Sequence, residues 1–195
     1  DWYSAVDQSH VELVTTGIER VVEEGVITTD GSLHRLDTII LGTGFAASEF
    51  LSPMDITGRN GVSLNQAWAN GSEAYKGITV SGFPNLFMLY GPSTNLAHNS
   101  IVYMLESQVR YVLCCINILN ATPGTAMDVK PDRLRAFSEG IQTKLKNSVW
   151  DSGCHSWYLD SDGKNTVNWP GFTFTYRKAT REVNPDDYEF LHPSV

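Results

Sequence analysis

Polar and apolar residues alternate in two short runs near the start of the chain, residues 11–15 (VELVT) and 18–22 (IERVV), a period of two that predicts half-buried strands. Residues 25–36 (GVITTDGSLHRL) repeat the alternation around Asp30-Gly31, a pair that favours a hairpin turn. Two runs lack alternation and are continuously apolar at their core, residues 37–41 (DTIIL, apolar from Ile39) and 86–90 (LFMLY), as expected of strands covered on both faces. Each runs into glycine, the first at Gly42-Thr43-Gly44-Phe45 and the second at Gly91-Pro92.

The period then lengthens. Ile101, Leu105, Val109, Val112, Ile116 and Leu119 recur at helical spacing, and Asn99 or Ser100 can cap the first turn. A second helix is predicted from Pro131, with Leu134, Phe137, Ile141, Leu145 and Val149 on one stripe and an end near 151–153. A short helix is expected near Leu64 to Trp68, and residues 172–176 (FTFTY) read as a strand. No internal repeat or flexible linker interrupts the 195 residues.

Composition narrows the possibilities. A hydrophobic share of 42% with 18% charged residues is that of a folded protein. The 14 Lys and Arg against 22 Asp and Glu form no basic run, which argues against nucleic acid as a partner. Three cysteines are too few for a disulfide framework, and free thiols suit a reducing, cytoplasmic setting. The longest apolar stretch, residues 101–119, is broken by Glu106, Gln108 and Arg110, so no membrane span is expected.

Hydrolase elbows, zinc-ligand pairs and a phosphate loop ending in Gly-Lys-Ser/Thr are absent from the sequence. His10, His34, His98, His155 and His192 are scattered, and the Cys154-His155 pair reads as a coincidence of neighbours rather than a ligand pair. What remains is two glycine turns after apolar runs, the arrangement in which open α/β sheets collect ligands at strand ends. At the second, the following helix would turn its positive amino terminus and unpaired N–H groups toward a ligand carrying partial negative charge.

Three blocks, LDTIILGTGF (36–45), GFPNLFMLYGPSTNLAHNSIVYMLESQVRYV (82–112) and SWYLDSDGKNTVNWPGFTFTYRKATREVNPDDYEF (156–190), carry a resemblance. In order and spacing they resemble the carboxyl-terminal portion of flavin-dependent Baeyer-Villiger monooxygenases. Asp37 to Phe45 is similar to that family's Asp-x-x-x-x-Ala-Thr-Gly-Phe segment, with Gly42 in place of the usual alanine. The resemblance implies an α/β, partial FAD/NAD(P)-binding Rossmann-like fold. Residues 1–45 would be the closing strands of an NADPH-binding domain, and 46–195 the carboxyl-terminal part of an FAD-binding domain.

It further implies an enzyme that holds FAD and NADPH and uses molecular oxygen, through a peroxyflavin, to convert a ketone into an ester or lactone. On that resemblance the cofactor-binding residues are Gly42, Thr43, Gly44 and Phe45 near both cofactors, Gly91, Pro92, Asn95, His98 and Asn99 beside the flavin ring, and Trp157 on a loop over the nicotinamide. No catalytic residue is assigned. The Gly-x-Gly-x-x-Gly turns for both pyrophosphates and the arginine that supports the peroxide do not occur in the matching segments. The chain is therefore expected to need a missing amino-terminal half, to be inactive alone, and to expose apolar faces that favour association, including with copies of itself. Oxygenation of nitrogen or sulfur, and a noncatalytic binding or assembly domain, are the alternative readings.

Overall fold

The computed structural model describes residues 1–146, 148–151, 156–160 and 162–192. The chain divides into two compact units, Asp1–Thr43 and Gly44–Val195.

The first unit opens with a short helix, α1 (Trp2–Val6), followed by β1 (Ile18–Val22), β2 (Gly25–Thr28) and β3 (Leu33–Arg35). These strands form an antiparallel meander in the order β1-β2-β3, and Asp30-Gly31 makes the predicted turn. Thr28 Oγ1 and Ser32 N–H both donate to Asp30 Oδ1, which locks the turn and, together, holds the Asp30 carboxyl below its ordinary value. Val26 and Thr28 are buried, whereas β1 is almost wholly exposed. The expected strand at 11–15 does not form; those residues are exposed and irregular.

The second unit contains α2 (Leu64–Ala67), α3 (Ile101–Ala121), β4 (Ala126–Val129), α4 (Pro131–Leu145), α5 (Thr173–Ala179) and β5 (Tyr188–Leu191). β4 and β5 pair antiparallel, Ala126 opposite Leu191 and Val129 opposite Tyr188. Ser63 closes α2 with a capping box: its side chain accepts from Gln66 N–H while Gln66 Oε1 accepts from Ser63 N–H. Against the β4-β5 ribbon pack Tyr75, Ile78, Tyr111 and Cys115. A neighbouring cluster joins Leu96, Met104, Ile141, Leu145, Trp169 and Tyr176, and Phe137 of α4 touches both.

Four further sequence expectations are corrected. Residues 37–41 form no strand: a strand exists through hydrogen bonds to neighbours, and no described strand pairs with these residues, so Ile40 and Leu41 stand 91% and 80% exposed. Residues 86–90 form none either. Their backbone bonds go to turns and side chains, with Leu86 N–H on Phe83 O, Met88 N–H on Ile78 O and Tyr90 N–H on Gln108 Oε1. Residues 172–176 alternate like a strand yet lie mostly in α5, because the residues that find partners, Thr173, Tyr176 and Thr180, are three and four apart.

The fourth correction concerns α3. Its buried face is Met104, Ser107, Gln108, Tyr111 and Cys115, while Val102, Val109, Leu113 and Ile116 are exposed. Those two faces lie on opposite sides of the helix, so tertiary partners selected the mixed face over the more apolar one. At 21 residues, with a mean hydropathy of 1.2 over an 18-residue window, α3 is by length and composition alone long and apolar enough to cross a membrane. In this fold it is a core helix, with a buried glutamine on its packed side. The α4 stripe is as expected except for Val149, which lies past the helix end and is exposed. The mixed helix and strand content agrees with the α/β reading.

Candidate functional site: the loop before α3

The Gly91–Asn95 loop is anchored from below by an unusually close backbone contact. A Cβ on Gly91 would lie 2.5 Å from Gly77 O, and one on Gly77 would lie 2.0 Å from Thr94 Cγ2 and 2.9 Å from Pro92 O. Gly77 also has a φ of +68°, so both space and backbone conformation require glycine there. Thr94 is fully buried and donates from Oγ1 to Gly91 O at 2.7 Å.

From the side, a buried polar relay holds the loop's entry. Tyr90 N–H donates to Gln108 Oε1 (2.9 Å), Gln108 Nε2 donates to the Tyr176 hydroxyl (3.0 Å), and that hydroxyl donates to Lys76 O (2.6 Å). Gln108 is 0% exposed, so every group in the relay depends on the others for its hydrogen bonds. Burial pushes the Tyr176 phenol above its ordinary range. It pushes the Lys76 ammonium below its own, although that ammonium lies 4.6 Å from the Tyr111 ring centroid, where the ring face favours a cation.

The loop then emerges to solvent. His98, Asn99 and Ser100 are exposed, and His98 meets Phe172 edge to face at 6.4 Å. Asn99 Oδ1 accepts from Ser100 N–H, and Ser100 caps α3 by accepting from Tyr103 N–H, so α3 begins at an exposed amino terminus beside the loop. Such an end carries partial positive charge and suits a group bearing partial negative charge. Tyr90 is 43% exposed, and partial burial, with Tyr158 nearby, raises its phenol.

The sequence-predicted residues thus separate. Gly91 and Pro92 are buried in the loop's own packing, Asn95 is half-buried, and His98 and Asn99 face solvent. Gly42 and Thr43 belong to the first unit, Gly44 and Phe45 to the second; all four are exposed, and a Cβ on either glycine would meet nothing within 4 Å. Trp157 is 54% exposed and leans on Tyr158 with ring centroids 5.0 Å apart. The Cys154-His155 pair lies outside the described residues. No group of three or more potential metal ligands occurs among the described residues.

Gly77, Gln108, Tyr176 and Asn168 support the loop and were missed by sequence reasoning. One signal was available: Gln108 sits on the same helical face as Met104, Tyr111 and Cys115, and a polar side chain inside an apolar stripe must find partners. A separate cleft of about 430 Å³ is lined by Arg59, Asp128 and Glu189, among others. There burial raises the Asp128 carboxyl, opposed by the Gly82 N–H and by Arg59, which donates at 3.3 Å.

No family model matches the chain. A Baeyer-Villiger monooxygenase of Pseudomonas aeruginosa is 40% identical over 190 residues, 96% of this chain and 36% of the relative. One from Streptomyces coelicolor is 36% identical over 195 residues, 99% of this chain and 38% of the relative. Among solved structures, a closed cyclohexanone monooxygenase superposes with a TM-score of 0.80 at 27% identity, over 98% of this chain and 38% of that one. An oxidized steroid monooxygenase bound to NADP gives 0.78 at 30% identity, over 98% and 37%. The chain spans little more than a third of the length of these relatives. Over 96% or more of its own length, this chain is a homologue of Baeyer-Villiger monooxygenases and shares the fold of the matching part of their solved structures.

Proposed function

We propose that the chain supplies the carboxyl-terminal part of an FAD- and NADPH-dependent monooxygenase that converts ketones to esters or lactones with molecular oxygen. The observation that carries the reading is the match over nearly the whole chain, including the glycine loop and the helix behind it. In this reading residues 1–45 close an NADPH-binding domain and 46–195 complete an FAD-binding domain. The rest of the enzyme supplies the pyrophosphate-binding glycine turns.

The residues present fit a flavin on one side. The exposed amino terminus of α3, with His98 and Asn99 before it, is suited to the electron-rich end of a reduced ring, where fixed dipoles stabilise charge without reorganising. FAD when bound supplies the oxygen-activating chemistry. The chain's own part is to hold the Gly91–Asn99 segment rigid, through Gly77 and Gln108, and to keep water from its buried side. Gly42 to Phe45, all exposed, and the half-exposed Trp157 are assigned to the cofactors as well. The chain alone is not sufficient for activity.

The test is a chimera in which the chain replaces the matching 36% of the Pseudomonas aeruginosa relative. A folded chimera that retains FAD, consumes NADPH and forms an ester from a ketone is the expected outcome. A folded chimera that retains FAD but oxygenates only an amine or a sulfide would overturn the ketone assignment. One that folds without FAD, while the unmodified relative holds it, would favour a noncatalytic module.

A further inference from the structure

The Gly91–Asn95 loop is also stitched to a segment more than seventy residues later in the chain. Ser93 N–H donates to Thr166 O (2.8 Å), Asn95 N–H to Val167 O (3.0 Å), and Trp169 N–H returns to Asn95 O (2.8 Å), a short parallel pairing of Asn95 with Asn168. Asn165 shapes the partner segment: its Oδ1 accepts from the N–H groups of Val167 and Asn168, while Gln142 Nε2 of α4 donates to its carbonyl. Side chains reinforce the pairing. The Tyr90 hydroxyl donates to Asn95 Oδ1, and Asn95 Nδ2 donates to Asn168 Oδ1 at 2.8 Å.

Asn168 is 0% exposed, and its amide nitrogen has no hydrogen-bond partner among the described residues; Asn165 Nδ2 and Thr166 Oγ1 beside it are buried and without a described partner too. A leucine at 168, with the same branching, would remove an unpaired donor, so packing alone does not account for the asparagine. Its bonded atom is Oδ1, and what that oxygen holds is Asn95. The same loop carries two non-glycine residues in the left-handed region, Tyr90 at φ 59° and Ser93 at φ 61°. Backbone strain and unpaired buried groups collected around one loop mark a geometry kept for use rather than for stability.

We propose that Asn168 is a positioning residue for this loop: through Asn95 it fixes the path from Tyr90 to Asn95 and hence the segment offered to the flavin. The proposal deepens the functional reading above and rests on it for the identity of the ligand.

Hydrogen exchange on the chain itself, without cofactor, tests the positioning. Asn168→Leu is expected to speed exchange at the Ser93, Asn95 and Trp169 amides by about tenfold. The Asn85 and Met127 amides, which belong to a separate pairing of Asn85 with Met127, should keep their rates. Asn168→Asp retains an oxygen for Asn95 Nδ2 and should restore most of the protection. Because an aspartate there would be buried, Asn95→Ala serves as the second arm: it should loosen the same amides, with Asn95→Ala/Asn168→Leu adding less than the sum. Unchanged loop amides, equal acceleration at all five, or strict additivity would each overturn the proposal. In the chimera, Asn168→Leu should weaken FAD retention by about tenfold. Loosened amides with unaltered FAD retention would leave the positioning role standing and overturn only the flavin assignment.

Discussion

Residues 37–45 and 86–95 look alike as sequence, each an apolar run ending in a glycine turn, yet their surroundings in the fold are opposite. Around the second, Met88, Gly91, Pro92 and Thr94 are buried, and the loop is bonded to Gln108 and to Thr166 and Val167. Around the first every residue is exposed, with Phe45 at 83%. An apolar run is a demand for partners, and the partners of one run are in this chain while those of the other are not among its described residues. The 36–38% share of the relatives' length that the chain spans accords with that difference.

Glycine substitutions should separate the two regions most strongly. Gly77→Ala, with a positive φ and a Cβ 2.0 Å from Thr94 Cγ2, is expected to cost about 3 kcal/mol in chemical denaturation. Gly91→Ala should follow, since Gly77 O is backbone and cannot swing aside. Gly42→Ala, which meets nothing within 4 Å, should change stability by less than about 0.5 kcal/mol. Equal losses at Gly77 and Gly42 would erase the distinction.

Gln108→Leu probes the relay with a smaller effect. It leaves Tyr90 N–H without its acceptor and removes the donor to the Tyr176 hydroxyl, for an expected loss of about 2 kcal/mol by the same measurement. A neutral result would mean that the glycine contact and the pairing with Thr166 and Val167 hold the loop without the relay.

The smallest effect on stability is expected in the exposed run. Ile40→Lys, at a residue 91% exposed, should leave the denaturation midpoint of the chain within about 0.5 kcal/mol of wild type. In the chimera with the Pseudomonas aeruginosa relative the same substitution should reduce the soluble yield, because there the apolar run would have partners to lose. A stability loss already present in the isolated chain would show that residues 37–41 are packed after all.

Legibility from sequence followed the range of the forces involved. The hairpin at Asp30-Gly31, the short helix near Leu64, the start of α4 at Pro131 and the existence of α3 were readable, because each depends on residues within a few positions of one another. The glycine loop before α3 was readable as a candidate site from its place between an apolar run and a helix. Its supports were not: Gln142, Asn168 and Tyr176 are separated from the loop by tens of residues and bear no mark of pairing with it.

By itself, then, the sequence determined the Asp30-Gly31 hairpin and the helices α3 and α4, the acidic and cysteine-poor character of the chain, and the resemblance carried by three blocks. Tertiary structure decided three things that periodicity left undetermined. It made a helix of most of 172–176, because Tyr176 packs on Trp169 and bonds Gln108; it turned the Gln108 face of α3 inward; and it buried one glycine turn while leaving the other bare. Periodicity records which residues seek burial, but only the arrival of distant partners determines which of them obtain it.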